Sequence, residues 1–108
     1  MMGKAIFSTD IPFIKTSSAI LCLTKETATL PPESNCIRCG KCVSACPMGL
    51  MPLVLNQDAL SGSIELFDKH NGTDCIMCGS CSYVCPASRH LAQTIIAYRG
   101  EVLASKRK

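Results

Sequence analysis

The chain of 108 residues predicts a mainly α-helical module organised by two cysteine loops rather than by a large apolar core. Three observations predict it. A run of the form C-x2-C-x2-C-x3-C-P occupies residues 36–47 and returns 39 residues later at 75–86. The 28 residues between Cys46 and Cys75 carry helix signals instead of the closely spaced turns of a hairpin fold. Beyond the second run, Leu91, Ile95, Tyr98 and Val102 fall at i, i+4, i+7 and i+11, one face of a helix.

Composition bounds the answer from outside. There is no Trp, aromatics are 5%, and nine residues are Cys. So short a chain with so few large side chains has little core to bury, and metal–thiolate bonds are expected to supply much of the folding free energy. An odd number of cysteines and the lack of a secretory signal argue against a disulfide scaffold. No apolar run approaches the roughly 18 residues that a membrane-spanning helix needs.

In chain order, residues 1–30 differ from the rest. The apolar pieces 5–7, 11–14 and 18–23 read as short β-like strands between Thr, Ser, Asp and Pro breaks. Too few to bury a core alone, they suggest a remnant or linker of a preceding domain, with the cluster module at 31–108. Cys22 lies in the third piece without a partner at ligand spacing, so it is expected to be a buried thiol behaving as a small hydrophobe. Residues 24–34 read as a polar linker, and Pro31-Pro32 keeps it extended.

The spacer is expected to hold two helices. Pro52 suits a first turn and residues 53–60 follow until Gly62. Ser63 then caps a helix over 64–70, with Glu65 in its first turn. Asn71-Gly72 marks a turn. Ser88 is expected to cap a last helix over about 89–104, with Gly100 its weak point. His70 and His90 fall at helix ends, where surface or capping roles are expected rather than metal ligation. The Lys106-Arg107-Lys108 tail complements a helix dipole.

The repeated run carries the chemistry. Cysteines three residues apart aim three thiolates from one tight loop at one centre. The fourth, turned aside by the Pro behind it, ligates the other cluster in two-cluster ferredoxins. One 4Fe–4S cluster is therefore assigned to Cys36, Cys39, Cys42 and Cys85, and a second to Cys75, Cys78, Cys81 and Cys46. Gly40 and Gly79 let the backbone approach the cluster and direct N–H groups at it. Ile37, Val43, Ala45, Met48, Ile76, Met77 and Val84 are expected to form a dry sheath. Arg38 and Lys41 stand where the second loop has Met77 and Ser80, so the first cluster is expected to have the higher reduction potential. The formal charge of +3 omits two anionic clusters and is not read as nucleic-acid binding. Zinc sites use paired C-x2-C knuckles with a long spacer, a weaker match.

Together, "CIRCGKCVSACPMGLM" (36–51), "DCIMCGSCSYVCPAS" (74–88) and the stretch from Met1-Met2-Gly3 to Thr24-Lys25-Glu26 resemble RnfC, the C subunit of the membrane-bound Rnf electron-transport complex. The resemblance covers essentially the whole chain. It implies an α-helical ferredoxin-like fold and maps the eight loop cysteines one by one onto the family's cluster ligands. It implies electron relay among other Rnf subunits and redox proteins, peripheral to the cytoplasmic side of the membrane, within a complex that couples electron flow to Na⁺ or H⁺ translocation. FMN and NADH belong to a longer N-terminal region of that family. No glycine-rich dinucleotide fingerprint occurs here, so the chain is expected to be a C-terminal fragment or a truncated reading frame starting at an internal Met, without a catalytic site of its own. A freestanding diffusible ferredoxin and a zinc-stabilised interaction module are the alternatives.

Overall fold

The computed structural model describes residues 6, 8–29 and 31–107. Its elements are α1 (Lys25–Ala28), α2 (Lys41–Ser44), α3 (Pro52–Ser61), α4 (Ile64–Lys69), a 3-10 turn (Gly72–Asp74), α5 (Ser80–Tyr83) and α6 (Leu91–Lys106). Among the described residues there is no strand. The fold is helical, as the spacer predicts.

The pair α3 and α6 forms the centre and the largest contact between elements. Pro52 opens α3 at its first position, where its missing N–H has no helical partner to lose. Gly62 closes it in the left-handed conformation. Ser63 caps α4 by accepting the Leu66 N–H at 3.4 Å. The face expected on α6 is the one buried: Leu91, Ile95 and Val102 sit in the core, with Tyr98 packed against it. Phe67 of α4 is fully buried and meets the Tyr98 ring edge-on, 5.1 Å between centroids at 82°. Behind Phe67 the chain must be glycine, since a Cβ on Gly72 would collide with the Phe67 ring.

Polar contacts tie the ends together. Asp58 of α3 is buried and its Oδ2 lies 2.6 Å from Nδ1 of His70, the C-cap of α4. Lys106 pairs with Asp68 at 2.7 Å, fastening the end of α6 to α4. His70 and Lys106 therefore stand at helix ends in structural roles.

Several expectations differ from the structure. The pieces 11–14 and 18–23 form no strand, and Ile11, Phe13, Ile14, Ile20, Leu21 and Leu23 are exposed. Short strands hold only when paired and covered on one face, and the described chain offers neither. In the piece 5–7, Ala5 and Phe7 lie outside the described residues, as do Met1-Met2-Gly3 and Lys108. Cys22 is exposed, not buried, for the same lack of a covering surface. The linker at 24–34 contains the α1 turn, capped by Thr24. Ser88 does not cap α6: it takes φ 51° within the loop, and α6 starts after His90. Gly100 does not interrupt α6.

Candidate iron–sulfur centres

Each loop begins with a cysteine whose sulfur accepts a backbone N–H two residues on. Arg38 N–H donates to Cys36 Sγ, and Met77 N–H to Cys75 Sγ, both at 3.4 Å. Arg38 and Met77 both have positive φ, 53° and 60°. Gly40 and Gly79 follow at 74° and 78°. The third matched pair is Gly49 and Ser88, at 64° and 51°. Left-handed residues two apart curl each loop, and the N–H of the first points at a sulfur, a geometry suited to anionic sulfur. Holding Arg38, Met77 and Ser88 there costs on the order of 1 kcal/mol each.

The repeat continues into the turns. Val43 N–H donates to Gly40 O and Ser82 N–H to Gly79 O; Cys46 N–H donates to Val43 O and Cys85 N–H to Ser82 O. After matched turns the chain enters α3 at Pro52 and α6 at Leu91, again 39 residues apart. The module is two copies of one loop-and-helix unit, packed through their helices.

That packing builds two hollows. The first, about 380 Å³ with its mouth included, has Cys36, Cys39, Cys42 and Cys85 in its wall, with Leu53 and Leu91 behind them. The second, about 400 Å³, has Cys75, Cys78, Cys81 and Cys46, backed by Leu55 and Ile95. Each hollow takes three sulfurs from one loop and the fourth from the other. The link is visible at the first hollow. Ser34, ahead of Cys36, donates its N–H to Ala87 O at 3.0 Å, and Glu33 Oε1 accepts the His90 N–H at 2.7 Å. Ser82 holds the start of α6, its Oγ accepting the Ala92 N–H at 2.8 Å.

The donor set is all sulfur, with no carboxylate or imidazole in either described wall. Soft thiolates suit iron–sulfur clusters and zinc. Zinc draws its thiolates to about 2.3 Å from one point. Among the described residues no three Cys, His, Asp or Glu side chains group closely enough to hold one metal ion. Four thiols spread around a hollow fit a polynuclear group better.

The thiols are not equivalent. Burial pushes Cys81 up to about 11 and holds Cys42 above its usual range. A hydrogen bond from the Ser80 side chain, then one from its backbone, lowers Cys78. Loading any metal must displace thiol protons, so the inner cysteines resist it most in the free chain.

The expected dry sheath is only partly formed. Ile37, Met48 and Ile76 are exposed, Ile37 at 69%; Val43, Ala45, Met77 and Val84 are half-buried. Ile37 borders the first hollow, and Met48, Ile76 and Met77 border the second, each still partly open to solvent. The deeper apolar backing comes from α3 and α6. Sequence reasoning also missed two arginines. Arg89 lines the first hollow and its Nη2 donates to Asn56 Oδ1 at 3.4 Å. Arg99 reaches from α6 to the second loop, where Nε donates to Thr73 O at 2.9 Å. Nothing in a local pattern distinguishes these from surface cations. His90 lies at the start of α6 and is in neither wall.

The family model of the 4Fe–4S dicluster domain matches residues 35–88, which contain both loops and the helical spacer. The chain belongs to the 4Fe–4S dicluster domain family. As a dicluster domain, it is similar over all its length to the C subunit of the Na⁺-translocating ferredoxin:NAD⁺ oxidoreductase complex of Acetobacterium woodii, at 50% identity over 108 residues. It is 49% identical over 105 residues, 94% of the chain, to the C subunit of the proton-translocating ferredoxin:NAD⁺ oxidoreductase complex of Clostridium ljungdahlii. The C subunit of the ion-translocating oxidoreductase complex of Yersinia enterocolitica is 49% identical over 53 residues, 48% of the chain and 8% of that protein. The chain spans 24% and 22% of the length of the first two. These relatives bear out the Rnf-type resemblance. Among the described residues no helix is long and apolar enough to cross a membrane.

Proposed function

We propose that this dicluster domain holds one 4Fe–4S cluster on Cys36, Cys39, Cys42 and Cys85 and another on Cys75, Cys78, Cys81 and Cys46. We infer that it relays single electrons as part of the C subunit of an ion-translocating oxidoreductase complex. The observation that carries the reading is the crossed wall of each hollow, three sulfurs from one loop and one from the other. Bound clusters would supply reversible one-electron chemistry. The chain's own residues hold them by thiolate, direct N–H groups from residues 38 and 77 towards sulfur, and exclude water on the inner side with α3 and α6. No catalytic residue is assigned.

The division into residues 1–30 and a cluster module at 31–108 is part of the same reading. It is supported by the absence of any buried residue among the described positions 6–29. FMN and NADH would be handled by regions outside these 108 residues. The chain would work at the cytoplasmic side of the membrane, held there by other subunits of the complex. Relatives named as complex subunits, two of them for ferredoxin:NAD⁺ oxidoreduction, support this.

Anaerobic reconstitution tests the core of it. Two cubanes require about eight iron and eight sulfide per chain, and a paramagnetic signal on reduction with dithionite. Stoichiometric zinc without sulfide would replace this reading with that of a structural metal module. Co-purification with membrane subunits, rather than as a lone soluble protein, tests the assignment to a complex.

A further inference from the structure

The rim of the first hollow carries a charge pattern that cysteine ligation does not use. Arg38 and Arg89 line it, and Lys41 begins α2 beside it. Arg38 and Lys41 are exposed, and neither has an ion-pair partner among the described residues. Cys36 and Cys39 are exposed as well. Ile37, between them, turns an apolar side chain to solvent. Glu33 is the acid nearest along the chain, and its Oε1 is engaged by the His90 N–H. The second hollow has no charged side chain in its described wall. Its loop has Met77 and Ser80 at the matched positions, and its cysteines are all half-buried.

We propose that the open rim around Arg38, Lys41 and Ile37 is a docking face for the acidic surface of another electron-carrying protein. The redox role of that partner rests on the function proposed above; the face itself rests on the charge pattern. A thiolate-ligated cluster is anionic, so an uncompensated hollow repels an acidic partner. Two cations in the wall, with Lys41 beside it, offset that charge at the first hollow; the wall of the second has none, and Arg99 stands beside it at Met77. An exposed apolar side chain within a ring of like charge is the usual make-up of a contact whose charges steer and whose centre excludes water. The exposed positions of Cys36 and Cys39 beneath it shorten the path between the two redox groups. An anionic bilayer is less well matched. Lipid-binding cations spread along a helix or a flat face, whereas these gather at the mouth of a concavity.

The test titrates the whole reconstituted chain with a small acidic ferredoxin of known sequence, by calorimetry, at low and at physiological ionic strength. Binding should weaken as salt rises. The Arg38→Met, Lys41→Ser variant keeps the residue 38 N–H; compared with wild type at equal iron and sulfide content, it should bind about tenfold more weakly at low salt. A four-site variant that adds Met77→Arg and Ser80→Lys restores the formal charge at the other hollow, and it should stay weak. Equal binding by wild type and double variant, recovery in the four-site variant, or no binding by wild type would each overturn the docking face. So would a double variant that loses only its affinity for phosphatidylserine vesicles while holding the ferredoxin unchanged. A chain that takes up no iron removes the relay reading and the docking face together; a loaded chain indifferent to these charges removes the docking face alone.

Discussion

The loop at residues 36–46 and its copy at 75–85 share their hydrogen bonds and their left-handed positions, yet they stand in different surroundings. The first has two exposed cysteines and a basic rim; the second has four half-buried cysteines and an apolar wall that includes Met48, Ile76 and Met77. The first is joined to the end of the second through Glu33 and Ser34. The second is held by Arg99 from α6. The difference teaches that C-x2-C-x2-C spacing sets the sulfur frame, while what packs around the frame sets exposure and charge. Those are the levers that tune a reduction potential. At the first loop greater exposure and positive charge act in the same direction, both favouring the more anionic reduced form.

The largest expected effect tests the crossing. Cys46→Ala lies in the first loop but removes a sulfur from the second hollow, and Cys85→Ala does the reverse. Each should lose about half the iron. Paramagnetic spectra of the two variants should retain opposite signals; loss from the hollow nearest in sequence would break the crossed arrangement.

The next effect concerns the third left-handed position. Gly49 meets it without a Cβ and Ser88 does not. Gly49→Ser should destabilise the loaded protein by about 1 kcal/mol, and Ser88→Gly should stabilise it by a similar or smaller amount. Guanidinium midpoints for loss of cluster absorbance would show the opposite signs. Arg99→Met should act on the second loop alone. Loss of one side chain–backbone hydrogen bond costs about 1 kcal/mol and should speed hydrogen exchange at residues 72–77 but not at 34–40.

The smallest effect is on potential. Arg38→Met with Lys41→Ser should lower the potential of the first centre, and Met77→Arg with Ser80→Lys should raise that of the second. Exposed charges are worth about 0.2–1 kcal/mol, so shifts of roughly 10–40 mV are expected in a redox titration followed by paramagnetic resonance. No shift in either direction would mean that burial alone separates the two loops.

Several elements were legible in the sequence for identifiable reasons. Pro52 and Gly62 mark the ends of α3 because each suits one helix terminus and resists a helix interior. Ser63 caps α4 because its side chain reaches an N–H three residues on. Ser88 misled because a polar residue before an apolar run reads as a cap; the loop repeat claimed its backbone for the left-handed conformation instead. The β-like pieces misled because a short apolar run between breaks forms a strand only where a neighbouring strand and a covered face exist. No local pattern singled out Asn56 and Asp58 on α3, yet both are buried, met by Arg89 and His70 from elsewhere in the chain.

By itself the sequence determined the repeat of eight cysteines in two matched loops, the helical spacer and the buried face of α6, because ligand spacing and helical period are local along the chain. Only the tertiary structure decided that α3 and α6 wall the hollows, that Arg89 and Arg99 serve different loops, and that two cysteines of the first loop are exposed while those of the second are half-buried. Those outcomes depend on which surfaces meet when two copies of one unit pack together, and contacts between residues distant along the chain leave no periodic mark in either copy.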